Sequence, residues 1–252
     1  MLKCEKMSEL SFLTTGHYDI YLKGKEKQNW DRDLDWSLAE DDLIPEHLKD
    51  TAIAVASLSA HVEVLGMQNA AELLSDCEDF ALKIGLGQAV NDEARHAELF
   101  SKYVMLANGN VQDLSKNTEI YDQHFSTLTD FDDIFLSHVF LENGALEQFN
   151  IFIQAFGSNS LIGQIYKGAL QDEARHVQMG INYFREQIIK NPYKVKKIKD
   201  HLNQFQNILH VNDAGINWLA EISGKSYEEI KNRVENRQSG FVNKILEEKC
   251  YA

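Results

Sequence analysis

"NDEARHAELF" (Asn91 to Phe100) and "QDEARHVQMG" (Gln171 to Gly180) spell Asp-Glu-Ala-Arg-His twice within one chain of 252 residues. In an α-helix, residues three apart leave the same face, so each copy places a glutamate beside a histidine: Glu93 with His96, and Glu173 with His176. Both faces read as core. Leu86, Ala89, Val90, Ala97, Phe100 and Val104 accompany the first pair; Ile162, Ile165, Tyr166, Ala169, Val177 and Tyr183 accompany the second. A carboxylate and an imidazole on an apolar stripe are costly to bury unless something compensates them, and a metal ion would do so.

The surrounding pattern is all-α. Pro45 suits the first position of a helix running to about Ser75, on which Ala52, Ala56, Ser59, Glu63, Gly66, Met67, Ala70 and Leu74 share a face. "SDCED" (Ser75 to Asp79) breaks it, and a second helix runs to about Ala107. A long crossover follows to about Asp130, then a third helix to "GSNS" (Gly157 to Ser160) and a fourth to about Lys190, ahead of Pro192. Two hairpins joined by a long crossover make a recognised four-helix-bundle connectivity. Residues 1–252 are expected to form a single domain: a lead segment 1–44 with little periodicity, a bundle over about 45–190, and additional C-terminal helices over 191–252.

In an antiparallel hairpin, the partner of each Glu-x-x-His glutamate should stand at its mirror position across the loop. Glu63 mirrors Glu93 about residue 78, inside the first break. Glu142 mirrors Glu173 about the start of "GSNS", and Glu147 does so nearly as well about residue 160. Helical phase favours Glu142, which shares its face with Phe135, Val139, Leu146, Phe149 and Ile153, whereas Glu147 sits with Asn143, Gly144, Asn150 and Gln154. His138, four residues before Glu142, is either a seventh ligand or a hydrogen-bonded neighbour of the ligands. The expected ligands are therefore Glu63, Glu93, His96, Glu142, Glu173 and His176, with Glu147 the alternative. One Glu from each of two helices and Glu-x-x-His from the other two is the ligand set of dinuclear iron and manganese carboxylate bundles. Oxygen-rich ligation with two imidazoles suits those metals better than zinc or copper.

The bulk composition narrows the classes. A net charge of −14 argues against nucleic acid and anionic membranes as partners. Cys4, Cys77 and Cys250 are scattered, form no Cys-x-x-Cys pair, and suggest reduced thiols. With no apolar run suited to a signal peptide or membrane span, the expected location is cytoplasmic.

On these residues, and over roughly Pro45 to Lys190, the sequence resembles the ferritin-like di-iron carboxylate superfamily. The doubled D-E-x-R-H is similar to the bacterial multicomponent monooxygenases and, more loosely, to the soluble acyl-carrier-protein desaturases. The resemblance implies that Asp92 and Asp172 orient His176 and His96 across the site, with Arg95 and Arg175 holding the aspartates. It implies two iron ions, with manganese as an option. It also departs from its relatives. The small subunit of ribonucleotide reductase carries a tyrosine four residues beyond the first ligand histidine, where this chain has Phe100. The 4-aminobenzoate N-oxygenases carry an extra histidine where this chain has Ala169. For Tyr103 and Tyr183, packing is the expected role, with redox activity left open.

The expected function is a di-iron oxygenase that uses O₂ to oxidise a small organic substrate by N-oxygenation or hydroxylation. Ala89, Phe100, Phe149 and Ala169 suit a modest apolar cavity for that substrate. The chain has no flavin, nicotinamide or iron–sulfur fingerprint, so electrons are expected from a ferredoxin-like or flavin-type donor. The basic run "YKVKKIKD" (Tyr193 to Asp200) is either its docking spot or a solvated helix face. An iron-handling ferroxidase, a di-manganese catalase and an acyl desaturase are the alternatives, and a homodimer is an open option.

Overall fold

A computed structural model describes residues 13–111, 115–210 and 213–246. Its frame is two antiparallel helical hairpins. The first pairs α2 (Lys49–Asp76) with α3 (Phe80–Leu106), and the second pairs α5 (Phe131–Phe156) with α6 (Leu161–Lys190). Their breaks have local causes. The Asp79 carboxylate accepts from Leu82 N at 3.1 Å, capping α3, and Ser160 Oγ accepts from Gly163 N at 3.0 Å, capping α6. Gly157, with φ +91°, takes the left-handed turn that ends α5.

The structure corrects one sequence expectation and places helices in two segments that the sequence left undivided. Pro45 does not open the helix: its ψ of 130° is extended, and it leads a 3-10 turn (Glu46–Leu48) before α2 begins at Lys49. The crossover contains a helix, α4 (Ser115–Ser126). The lead segment holds α1 (Gly16–Lys27), which packs on α3 and α6. Its inward residues are His17, Ile20 and Gly24, a stripe of correct spacing with a single aliphatic residue, so hydropathy alone does not mark it. After the bundle come α7 (Lys194–His210), α8 (Asp213–Ser223) and α9 (Tyr227–Leu246), with α8 and α9 both backing α5.

Two apolar clusters fill the bundle. One gathers the N-terminal half of α2, the C-terminal halves of α3 and α5, and the start of α6, including Phe100, Tyr103, Phe149, Phe152 and Tyr166. The other gathers the opposite halves, including Leu82, Leu86, Phe135, Val139 and Phe184. Each buried aromatic or Leu side chain is worth about 1.5–3 kcal/mol. The expected ligands all fall at the middle of their helices, between the clusters. Among the described residues no helix is long and apolar enough to cross a membrane.

Cys4 and Cys250 lie outside the described residues. Cys77 is a free, buried thiol whose pKa burial pushes up to about 11. Two lysines of the basic run of α7 pair with the start of α5: Lys194 with Asp132 at 2.6 Å, and Lys197 with Asp133 at 3.1 Å and Asp130 at 3.2 Å.

Candidate metal centre

Four buried glutamates and two buried histidines meet in the middle of the bundle. Their ligand atoms form two groups, Glu63–Glu93–His96–Glu173 and Glu93–Glu142–Glu173–His176. Glu93 and Glu173 belong to both. Two carboxylates shared between two clusters, each completed by its own Glu and His, is the arrangement that two neighbouring cations would bridge.

Hydrogen bonding alone does not account for this geometry. His176 Nδ1 lies 3.1 Å from Glu142 Oε1, 3.2 Å from Glu93 Oε1 and 3.4 Å from Glu173 Oε2. His96 Nδ1 lies 3.2 Å from Glu63 Oε2 and 3.3 Å from Glu173 Oε1. One ring N–H cannot serve three oxygens. Glu93 Oε1, Glu142 Oε2 and both Glu173 oxygens are buried with no hydrogen-bond donor, a costly condition that a bound cation removes. The donor set fits iron or manganese.

The other ring nitrogens are held from behind. His96 Nε2 is 3.2 Å from Asp172 Oδ2, and His176 Nε2 is 3.3 Å from Asp92 Oδ2. Each aspartate is therefore set behind the histidine of the other motif, as the resemblance implied. Arg95 bonds Asp92 at 2.7 Å and Asp172 at 2.6 Å; Arg175 bonds Asp92 at 2.8 Å and also Asp172. The result is a closed ring of two aspartates and two arginines. It favours the tautomer with the proton on Nε2 and leaves Nδ1 free to bind a metal.

Burial by itself would depress both imidazole pKa values, but the surrounding carboxylates outweigh it and push both well above the usual range. Glu93 is also pushed well up, by burial and then by Glu173 and Glu63. A metal must displace these protons. Adding Fe²⁺ to metal-free protein should release protons, and apparent affinity should weaken as pH falls. A titration with a pH indicator measures the release, and an affinity unchanged between about pH 8 and about pH 6 would contradict the arrangement.

The structure separates the two candidate glutamates of α5. Glu147, five residues on from Glu142, is turned about 140° away and bonds Arg233 at 2.7 Å and Arg237 at 3.4 Å, tying α9 to α5. It is not among the converging ligand atoms. His138 also lies outside both groups; its Nε2 is 3.1 Å from Glu142 Oε1, so it holds that carboxylate. Glu142→Ala should lose metal. Glu147→Ala should keep it and cost about 1–3 kcal/mol, less than a fully buried pair because both arginines are partly solvated. Metal analysis beside thermal unfolding separates the two variants, and metal loss in Glu147→Ala would overturn the assignment.

Ala89, Phe100, Phe149 and Ala169 are divided between the two apolar clusters on either side of the ligand layer. Ala89 belongs to one apolar cluster and the other three to the opposite one, where Tyr166 packs its ring 4.8 Å from Phe100 and 5.1 Å from Phe149. The sequence reading passes over Trp30, whose Nε1 donates to Asp172 Oδ2 at 2.8 Å while Arg95 stacks 5.4 Å from its ring. Gly168 makes room for it, since a Cβ there would fall 2.2 Å from the indole. A glycine one turn before the second Asp-Glu-Ala-Arg-His is the only trace of this contact in the sequence.

No family model matches the sequence, and no curated protein does. The fold matches solved structures of an R2-like ligand-binding oxidase. One mutant of that oxidase, with an anaerobically reconstituted Mn/Fe cofactor, aligns at TM-score 0.75 and 16% identity, over 95% of this chain and 97% of the other. A second mutant, with the same kind of cofactor, gives 0.73 and 18%, over 92% and 94%. A third, with a non-activated Mn/Mn cofactor, gives 0.74 and 16%, over 92% and 93%. The chain has the ferritin-like helical-bundle fold.

Proposed function

We propose that the protein is a dinuclear metal oxidase that reduces O₂ and oxidises a small organic substrate, by hydroxylation or N-oxygenation, with electrons supplied from outside. The carrying observation is the pair of shared carboxylates, Glu93 and Glu173, between two Glu–His sets. The likeness to an oxidase with Mn/Fe and Mn/Mn cofactors supports two irons or a manganese–iron pair. When bound, such a pair supplies the redox chemistry with O₂.

The chain's own residues set the conditions. Four carboxylates provide the negative charge that stabilises metal in its oxidised states. The Asp–Arg ring fixes both imidazoles through a change of metal charge, so that the site retains its metals. The Phe100, Phe149 and Tyr166 rings seal one side of the ligand layer against water. Trp30 is half-buried at the surface, and its bond to Asp172 continues to His96, which makes it an entry point for electrons from a ferredoxin-like or flavin-type donor.

The test is metal analysis of iron- and manganese-replete protein, followed by O₂ uptake with a chemical reductant. About two metals per chain and uptake dependent on reductant are expected. Zinc, or a single metal, would overturn the reading. Turnover of many Fe²⁺ ions with growth of a mineral would assign the protein to iron storage.

A further inference from the structure

The two halves of the site match in chain order but differ in what surrounds them. Glu63, Glu93 and His96 of the first hairpin correspond to Glu142, Glu173 and His176 of the second. Four residues before Glu142 stands His138, and four residues before Glu63 stands Ser59. Three residues after Glu142 stands Ala145, and three residues after Glu63 stands Gly66. On a helix these steps place each residue about one turn from its glutamate and on the same face.

Both departures change how a carboxylate is held. His138 Nε2 lies 3.1 Å from Glu142 Oε1, and both side chains are buried. An ionised carboxylate can only accept, so the imidazole N–H donates. That bond fixes Glu142 through one oxygen and leaves Oε2, buried without a donor, to a cation. In the other half, Ser59 Oγ pairs with the Tyr166 hydroxyl at 2.9 Å. Glu63 has no counterpart of the His138 bond among the described residues. Its contacts, to His96 Nδ1 at 3.2 Å and to Glu93, lie within the ligand layer itself. Gly66 loosens the same half further. A Cβ there would fall 2.7 Å from Glu93 Oε2 and 3.1 Å from its Cδ, so the shared carboxylate sits in space that a side chain would fill.

We propose that His138 makes the two metal positions unequal: the Glu142–His176 position holds its ion, and the Glu63–His96 position exchanges its own. His138 is a positioning residue that acts through Glu142. The physical basis is preorganisation. A carboxylate locked by a donor behind it loses little freedom when a cation arrives, and outer partners of this kind are worth about 10–100-fold in metal affinity. Glu63 has no such donor and must be ordered by the ion itself. The ion on its side therefore leaves first.

The proposal rests on the dinuclear oxidase reading, and one experiment separates the two. Protein loaded with Fe²⁺ in the absence of O₂ is mixed with a colour-forming Fe²⁺ chelator, and total iron is measured on the same samples. Two ions per chain are expected, one leaving at least about tenfold faster than the other. His138→Ala should speed the slow phase by about tenfold or more and leave the fast phase unchanged. His138→Gln, whose side-chain amide can still donate to Glu142, should keep both phases, an outcome that a general loss of packing would not give. Fewer than two ions per chain in the unaltered protein would overturn the dinuclear reading and the proposal with it. Two ions released in a single phase, or a slow phase unchanged in His138→Ala, would overturn the proposal alone. So would a slow phase lost equally in His138→Gln and His138→Ala.

Discussion

His96→Ala and His176→Ala are each expected to leave at most one metal ion per chain and to slow O₂ consumption by at least about a hundredfold, beyond the range typical of residues that only support ligands. The size of the effect follows from the sharing of ligands. Each histidine is the one nitrogen donor in its group, while Glu93 and Glu173 serve both groups. Removing a ring therefore strands three buried carboxylates around a weakened position, and the loss of one cation raises the repulsion felt at the other. His47→Ala, at an exposed position outside the bundle, should keep both metals. Two metals retained in His96→Ala or His176→Ala, by elemental analysis after gel filtration, would refute the assignment.

Asp172→Ala should have the next largest effect. Its two oxygens receive Trp30, Arg95, Arg175 and the ring of His96. These contacts, the His96 hydrogen bond first among the favourable ones, overcome the burial that would otherwise raise its pKa, so the carboxyl stays ionised far below its usual range. Truncation leaves two arginines partly uncompensated at a buried site, a loss of about 3–5 kcal/mol, and frees His96 to turn. Metal affinity should fall about 10–100-fold. Trp30→Phe should behave differently, with both metals kept and only the rate of reduction by an external donor lowered. Gly168→Ala should resemble Trp30→Phe, because the added methyl displaces the indole. Isothermal metal titration and stopped-flow reduction read the two properties separately. A Trp30→Phe variant that loses metal as readily as Asp172→Ala would show that the indole supports the site and is not a path into it.

The breaks at Asp79 and Gly157–Ser160, the mirrored glutamates and the doubled motif were legible because each depends on local rules. Capping residues stop helices, and positions three or four apart share a face whatever lies beyond them. Helical phase alone set Glu142 apart from Glu147, since a five-residue step carries a side chain to another side of the helix. The sequence did not reveal α1, whose inward stripe is His17, Ile20 and Gly24, or α4, which lies in a stretch of mixed polarity.

What the amino-acid order determined by itself was the bundle, its connectivity and the residues able to meet at its centre, because helical period and hairpin symmetry are properties of the chain alone. Only the tertiary structure decided that Trp30 reaches Asp172, that Glu147 turns to Arg233 and Arg237, and that His138 holds Glu142. Apart from the His138–Glu142 pair, these contacts join residues far apart in the chain, on elements without a shared period. Their meeting depends on how the lead segment and α9 pack against the bundle, and no local rule of sequence encodes that distance.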